Sequence, residues 1–292
     1  MQAVWAVQMD LLKELIRVCD KYNITYYGDS GTLLGAIRHK GYIPWDDDID
    51  VVMTRAEYNR LLEVAEKEFT HPYFLQTRET DYGYERPFAR LRNSNTTGVQ
   101  KSEVGATIKY NQGIFIDIFP LDNLPDNEEE RAQFLQRIRS LSAKAWRLTE
   151  WTVRYLPGTK GGIKKVLRDI GCPILSWAFY TFRIPNLYWV KYEKEVTRYN
   201  NKETKYLANL NFNKENELVL MDNADYKESV VVDFEDMTIS VPRNYEHVLC
   251  RMYGENWRTP VQSGTLHGDM IFDVEKSYKE HLDKKGRYKD VV

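Results

Sequence analysis

Residues 27–50 read YGDSGTLLGAIRHKGYIPWDDDID, and this stretch decides how the rest of the chain is interpreted. The β-branched and aromatic run 24–27 predicts a short strand, and the glycine-rich turn 28–32 leads into a predicted helix over 33–38. A second strand is predicted to end at Met53, after the aspartates. A turn that follows a strand and opens a helix leaves free backbone N–H groups at the positive end of the helix dipole. This arrangement favours a bound anion such as phosphate.

Four aspartates crowd into residues 46–50. On a strand, Asp48 and Asp50 share one face because side chains alternate. Two carboxylates on one face repel unless a cation lies between them, and Mg²⁺ prefers oxygen ligands. An acidic, solvent-exposed turn is the alternative, but the flanking Trp45 and Ile49 do not suit a solvated surface. We therefore predict that Asp48 and Asp50 hold a metal.

Asp117 is the only polar residue in the apolar run 114–119. A run that is apolar on both faces predicts a strand in the middle of a covered sheet. An isolated carboxylate there costs several kcal/mol unless it is paired or bound to a metal. We predict that Asp117 is the third carboxylate of the metal site. The alternative is a core aspartate paired with an arginine such as Arg90 or Arg92.

The predicted substrate-binding residues lie in the glycine turn or carry cationic or aromatic side chains suited to nucleotide phosphates. They are Ser30, Gly31, Thr32, Arg38, His39, Lys40, Trp45, Arg90 and Arg92. Ser30 or Thr32 can also cap the following helix.

The 292 residues are 42% hydrophobic and 29% charged, which excludes a disordered or low-complexity chain. Three scattered cysteines and five scattered histidines exclude a disulfide framework and a histidine-rich metal site. No secretory signal is seen, and no apolar run reaches the ~18 residues of a spanning helix. We expect a cytoplasmic protein, with peripheral contact at the inner face of the membrane.

Charge is distributed unevenly along the chain. Residues 131–205 carry 16 Lys and Arg against 5 Asp and Glu, a balance of +11, whereas the net charge of the whole chain is −2. This segment is also rich in aromatic residues, a combination that suits an anionic partner. One interpretation is a membrane-docking surface that includes Lys164, Lys165, Arg168 and Trp177. The other is a helical layer with aromatic residues in its core and solvated lysines.

Hydrophobic spacing and turn residues predict the remaining elements. The predicted helices are 4–23, 57–69 and 244–253, together with a mostly helical stretch over 127–151 and 162–199 that is broken at Pro157, Pro173 and Pro185. Further predicted strands are 88–91, 113–119 and a hairpin formed by 230–233 and 237–241. This order predicts an α/β (α+β) fold with a core over residues 1–126, a basic helical segment over 127–205 and a small C-terminal α+β part over 206–292.

Residues 27–50 resemble the signature of the LicD family, which comprises phosphocholine transferases of bacterial surface glycans and is related to the fukutin-type ribitol-phosphate transferases. Residues 88–97, 113–122 and 253–260 also resemble segments of this family. The resemblance implies a nucleotidyltransferase-like mixed sheet, with the basic segment as a helical insertion.

The resemblance further implies transfer of phosphocholine, or a similar phospho-alcohol, from a CDP-linked donor with release of CMP. The acceptor is then a hydroxyl of a lipid-linked glycan or teichoic acid precursor, and no nucleic acid is involved. Asp48 and Asp50 would hold Mg²⁺ or Mn²⁺, and Asp117 would ligate metal and take the proton of the attacking hydroxyl. Trp45 or Tyr27 would face a quaternary ammonium.

Two other functions stay open from the sequence. The same fold serves enzymes that transfer a nucleotidyl group from an NTP to a small molecule or protein. A non-enzymatic protein that binds a membrane or polymer through the basic aromatic segment is the third interpretation.

Overall fold

The computed structural model describes residues 1–104, 109–153, 163–211, 218–262, 270–283 and 288, without the side chains of 102 and 163–169. The described part of the chain contains seven α-helices. They are α1 (Gln2–Tyr22), α2 (Ser30–His39), α3 (Arg55–Glu68), α4 (Glu128–Thr152), α5 (Ile163–Phe182), α6 (Leu187–Val196) and α7 (Tyr245–Tyr253).

The described residues also form eleven strands. They are β1 (Tyr27–Gly28), β2 (Asp50–Thr54), β3 (Tyr73–Gln76), β4 (Ala89–Asn93), β5 (Thr97–Gln100), β6 (Ile114–Leu124), β7 (Tyr206–Asn209), β8 (Met221–Asp222), β9 (Ser229–Phe234), β10 (Met237–Pro242) and β11 (Met270–Asp273). The α/β class predicted from the sequence is confirmed.

A seven-stranded mixed sheet organises the molecule. Its main path is β1-β2-β6-β4-β3, with β7 and β8 continuing from the far end of β6. The β2–β6 pair is parallel, whereas β4 and β7 run antiparallel to β6. Ile114, Ile116 and Ile118 of β6 are fully buried, because the strand is covered on both faces. The prediction of a central strand in this region is confirmed.

The main core lies between this sheet and the helices packed on it. Leu11, Leu15 and Val18 of α1 are fully buried in it at helical spacing. Asn23 ends α1 in the left-handed conformation, with φ of 50°, a common helix stop. Both the predicted first helix and the predicted β9–β10 hairpin are confirmed.

A second hydrophobic cluster joins the helical segment to the sheet. Phe134 of α4 and Trp189 of α6 are buried in it together with Leu124 at the end of β6. At the start of α3, the buried Arg55 donates two hydrogen bonds to Asp122 of β6, at 2.8 and 2.7 Å. Its guanidinium also forms an ion pair with Glu193 of α6 at 2.7 Å. This network attaches α6 to the central strand.

The structure corrects several local predictions. Strand β1 begins at Tyr27, not at residue 24. Neither Ser30 nor Thr32 caps α2 through its side chain, because the helix already begins at Ser30 after Asp29.

Helix α5 continues through Pro173, since its packing against α4 outweighs the lost backbone hydrogen bond. Pro157 lies outside the described residues.

Asp48 precedes β2 and is not on the strand, so the shared strand face predicted for Asp48 and Asp50 is wrong. None of the described helices has the length and apolar character needed to cross a membrane.

Candidate active site

The site is built on a row of polar side chains that crosses the sheet. Asp50 at the start of β2 is the register partner of Asp117 on β6, and Asp117 is the partner of Arg90 on β4. Register partners on adjacent strands present their side chains to the same face of a sheet. Two carboxylates from separate strands are therefore neighbours beside one guanidinium.

Asp50 is fixed through its backbone by the glycine turn. Its N–H donates to the Thr32 hydroxyl oxygen at 2.9 Å, and its carbonyl accepts from the Asp29 N–H at 3.0 Å. Within the described residues, its buried Oδ1 atom has no hydrogen-bond partner. A buried carboxylate oxygen without a donor is costly unless a ligand satisfies it.

Three further carboxylates lie in the turn before β2. Asp46, Asp47 and Asp48 each place an oxygen within 4.8 Å of the others. Helix α1 holds this turn, because the Trp5 indole N–H donates to the Asp46 carbonyl at 3.1 Å and the Gln8 amide donates to the Asp47 carbonyl at 2.8 Å. The acidic turn is thus a fixed part of the fold.

The glycine turn approaches this acidic cluster closely. A Cβ at Gly31 would overlap Oδ2 of Asp46, so only glycine allows the present spacing. Ser30 adopts a left-handed backbone conformation with φ of 47°, which is unfavourable for a residue with a side chain. Its hydroxyl donates to Asp29 at 2.9 Å. Strain of this kind concentrates at functional sites.

Burial and mutual repulsion raise the pKa values of these carboxyl groups. Burial raises the pKa of Asp29 to about 6. Burial, followed by the charge of Asp48, raises the pKa of Asp46 to about 7. The same two causes, together with the charge of Asp117, raise the pKa of Asp50 well above its ordinary value. Because burial and mutual repulsion disfavour the ionised form of these carboxyl groups, the site favours a bound cation that offsets their negative charge.

The buried Asp117 carboxylate forms an ion pair with Arg90. The guanidinium donates to Oδ1 at 2.6 Å from Nε and to Oδ2 at 3.2 Å from Nη2. This is the arginine pairing that the sequence left as the alternative, and it occurs next to Asp50. Asp117 is therefore both paired and at the site.

Arg92 lies two residues further along β4 and is fully buried. It donates to the Gln76 side chain and to the Gly113 carbonyl, both at 2.5 Å. The Phe115 ring lies 3.7 Å from the Arg90 guanidinium and 4.8 Å from that of Arg92. Arg90 therefore faces the carboxylates, whereas Arg92 is engaged in the sheet beyond Phe115.

The basic residues at the end of α2 point in different directions. Arg38 donates to the Trp257 carbonyl at 3.2 Å, and the pKa of the neighbouring His39 is lowered by burial and by the charge of Arg38. Lys40 is largely exposed and lies 3.7 Å from Asp233 of the β9–β10 hairpin. The glycine turn and the carboxylates are brought together, but Lys40 is directed to the hairpin.

Of the aromatic residues, Trp45 is half-buried against the core beside the acidic turn. Tyr27 is buried and donates to the Tyr226 carbonyl at 2.6 Å, so its ring does not face a ligand. Tyr253, at the end of α7, is 44% exposed. Partial burial, followed by the charges of Asp29 and Asp50, raises the pKa of its hydroxyl, as expected for a group close to the carboxylates.

Sequence reasoning missed Asp29, Asp46 and Tyr253 as residues of the site. Asp29 follows β1 directly, and its place in a Gly-Asp-Ser-Gly turn was the available signal. Asp46 was visible within the acidic run, but its contact with Gly31 depends on the fold.

The donor set fits a hard divalent cation. Asp46, Asp47 and Asp48 group their carboxylate oxygens in the acidic turn, the charges of Asp46 and Asp48 act on Asp50, and the unpartnered Oδ1 of Asp50 is a ready ligand atom. Another group, at Asp222, Asp225 and His247, is less suited to a cation, because Arg251 donates to Asp222 at 2.7 Å and already supplies positive charge.

Comparisons with known proteins identify similar sequences. Residues 23–140 match the family described as "LicD/FKTN/FKRP, nucleotidyltransferase domain". The chain is 25% identical over 269 residues to the lipopolysaccharide cholinephosphotransferase LicD of Haemophilus influenzae, covering 87% of this chain and 90% of that protein. It is also 38% identical over 78 residues, 27% of each chain, to an uncharacterized protein of Rickettsia prowazekii.

Proposed function

We propose, from the LicD-family domain that residues 23–140 form, that this protein is a phosphotransferase that moves phosphocholine or a similar phospho-alcohol. The donor is a CDP-linked alcohol, the acceptor is a hydroxyl of a lipopolysaccharide or teichoic acid precursor, and CMP is released. The Haemophilus relative supports the class of reaction through its name and its coverage of both chains.

The unpartnered Oδ1 of Asp50, beside Asp48 and Asp117, is the observation that carries the proposal. Asp48 and Asp50 would hold Mg²⁺ or Mn²⁺, with Asp46 and Asp117 next to them. When bound, the cation neutralises charge on a diphosphate and on the leaving CMP. The protein contributes fixed ligand positions, since Thr32 and Asp29 lock the backbone of Asp50.

The start of α2 is the proposed phosphate site. The N–H groups of Ser30, Gly31 and Thr32 fall in the first turn of a ten-residue helix, where backbone donors and the helix dipole favour an anion. Thr32 also holds Asp50, so a phosphate at the helix end and a cation on Asp50 would be adjacent. Arg38 would add positive charge at the other end of α2.

Two groups compete for the proton of the attacking hydroxyl. Asp117 is the acceptor expected from the family resemblance, but Arg90 already donates to both of its oxygens. Each carboxylate oxygen retains a second lone pair, so this role is compatible with the ion pair. Asp46, with a pKa raised to about 7, is the alternative acceptor.

The alcohol would lie near the aromatic residues above the carboxylates. Trp45 is half-buried beside the acidic turn, and Tyr253 presents an exposed ring near Asp29 and Asp50. A quaternary ammonium is attracted both by an aromatic face and by nearby carboxylates. Tyr253 replaces Tyr27 in this proposal.

The test is incubation of the purified protein with CDP-choline, Mg²⁺ and a lipopolysaccharide or teichoic acid acceptor fraction. We expect release of CMP that requires both metal and acceptor and that stops with EDTA. In parallel, CDP-choline with Mg²⁺ should raise the melting temperature of the protein, whereas it should not do so for Asp50→Asn. Release of pyrophosphate from an NTP, with no CMP from any CDP-alcohol, would instead establish a nucleotidyltransferase.

A further inference from the structure

Helix α5 presents a row of apolar side chains to solvent. Ile170, Ile174 and Trp177 are each 61–62% exposed and recur at positions i, i+4 and i+7, so they form one stripe along the helix. We call these three residues the apolar stripe. Phe182 contacts Trp177, with ring centroids 6.1 Å apart, and extends the apolar surface to the end of the helix.

Exposed apolar residues are concentrated in this part of the molecule. Eight of the twelve large hydrophobic side chains exposed in the described residues fall between Trp151 and Val190: Trp151, Ile170, Ile174, Leu175, Trp177, Phe182, Leu187 and Val190. Single exposed apolar residues are ordinary on protein surfaces, but a contiguous patch marks an interaction site.

The opposite face of α5 is packed on the protein. Cys172 is fully buried. The Tyr180 ring lies 5.2 Å from that of Tyr82, and the Lys109 ammonium lies 4.4 Å from the Tyr180 ring centroid. The helix is therefore held in place with the apolar stripe facing outward.

The charge around the stripe identifies the partner. Exposed basic side chains occur on α4, which packs against α5, between α5 and α6, and on α6: Lys144, Arg147, Arg183, Lys191 and Lys194. Residues 170–182 contain no charged residue, and residues 131–205 carry a net charge of +11. An apolar helix face with tryptophan, within a segment rich in exposed basic residues, has the composition of a helix that lies in a membrane interface.

We propose that α5 binds the surface of an anionic phospholipid bilayer. The apolar stripe enters the boundary between headgroups and acyl chains, and the surrounding lysines and arginines contact lipid phosphates. The helix lies along the surface, since its other face, with Cys172 and Tyr180, is packed on the protein. Of the basic residues predicted for such a surface from sequence, Lys164, Lys165 and Arg168 have side chains outside the described part. This inference does not depend on the proposed transferase activity.

The test is flotation of the full-length protein with vesicles. Vesicles of phosphatidylglycerol and phosphatidylcholine should carry the protein to the top of a gradient, and added salt should reduce the bound fraction because it screens the charges. Vesicles of phosphatidylcholine alone should bind far less. The double variant Ile174→Ser/Trp177→Ser should bind anionic vesicles about tenfold or more weakly, because two large apolar side chains are lost.

Val231→Ser is the matched control, since Val231 is 68% exposed on β9, which is not part of the helical segment. It should float like the wild type, and circular dichroism should show that all variants are folded. The proposal is overturned if the wild type stays at the bottom with anionic vesicles at low salt, or if the double variant binds as well as the wild type. Sedimentation that shows a dimer broken by the double variant, without vesicle binding, would assign the stripe to a second copy of the chain instead.

Discussion

Arg90 on β4 donates two hydrogen bonds to the Asp117 carboxylate on β6, at 2.6 and 3.2 Å, and Asp117 lies next to Asp50 on β2. One guanidinium thus offsets part of the negative charge in a row of buried carboxylates. The pair supports the fold and the candidate site at the same time, and mutation can separate the two roles.

Removal of Arg90 alone should destabilise the protein strongly. The Arg90→Met variant leaves Asp117 buried without its partner, which typically costs about 3–5 kcal/mol. The double variant Arg90→Met/Asp117→Leu should recover most of the free energy of unfolding in urea. If Asp117 acts in the reaction, the double variant stays inactive despite its recovered stability. Recovery of turnover together with stability would show that the pair is structural only.

The Asp50→Asn variant should lose activity and gain stability. Turnover of CDP-choline should fall at least ~100-fold, because the central proposed metal ligand is lost. The melting temperature of the metal-free protein should rise, because a buried charge opposed by Asp48 and Asp117 is removed. Asp236→Asn, at an exposed residue paired with Lys13, is the control and should keep full activity. Full turnover by the Asp50→Asn variant would contradict the metal assignment.

The metal-free protein should become less stable as pH rises from 5 to 8. The pKa values of Asp29 and Asp46 are raised in the folded state, to about 6 and 7, from an ordinary value of 3.8. Their contribution to the free energy of unfolding is therefore fully present below pH ~4. It is lost as pH rises through the raised pKa values, because the folded protein then gives up protons that the unfolded chain has already lost.

Mg²⁺ should counteract this loss, because it favours the ionised carboxylates and releases their protons on binding. Thermal melts at pH 5 and pH 8, with Mg²⁺ or EDTA, measure the effect, and Mg²⁺ should raise the melting temperature more at pH 8. The Asp46→Asn variant should flatten the dependence near pH 7. An Mg²⁺ effect that is equal at both pH values would argue against ligation by these groups.

The Gly31→Ala variant should reduce turnover more than it reduces stability. Its Cβ would overlap Oδ2 of Asp46, so the Asp46 carboxylate must move away from the start of α2. We expect at least a ~10-fold loss of turnover from such a displacement. Gly171→Ala is the matched control, because no neighbouring atom lies within 4 Å of the added Cβ. It should leave activity unchanged and stabilise α5 slightly.

The ring of Tyr253 should contribute to recognition of a cationic alcohol. The Tyr253→Ala variant should raise KM for CDP-choline by about 3- to 30-fold, the range expected for a cation–π contact, whereas Tyr253→Phe should stay close to wild type. A CDP-alcohol without a positive charge should show no such difference between the two variants. Equal losses for charged and uncharged donors would assign Tyr253 a purely structural role.

The sequence predicts those parts of the site that depend on local pattern. The buried strand with Asp117 is evident because residues 114–119 are apolar on both faces, and the β9–β10 hairpin follows from its alternation and turn. The pairing of Asp117 with Arg90, and not with Arg92, depends on strand register. A shift of two residues would exchange the two arginines, and single-chain patterns do not specify this shift.

Other features depend on contacts between distant segments. Asp29 looks like an ordinary turn residue, but its N–H donates to the Asp50 carbonyl and its carboxylate becomes buried. Asp48 lies before β2, because α1 holds the acidic turn through Trp5 and Gln8. The excess of positive charge over residues 131–205 is visible in the sequence, whereas the exposure of Ile174 and Trp177 is not, because exposure depends on which face of α5 packs inward.

Strand β6 joins the two halves of the proposed enzyme. It carries Asp117 at the site and, five residues on, Asp122, so the two carboxylates are roughly 17 Å apart along an extended strand. Asp122 forms an ion pair with Arg55, which also pairs with Glu193 of α6. If α5 rests on lipid, the height of the carboxylates above the bilayer is set by the protein itself. The enzyme would then select acceptors by the distance of their hydroxyl group from the lipid surface. In a series of acceptors that differ in the length of the spacer between lipid and sugar, turnover should be highest at a single spacer length.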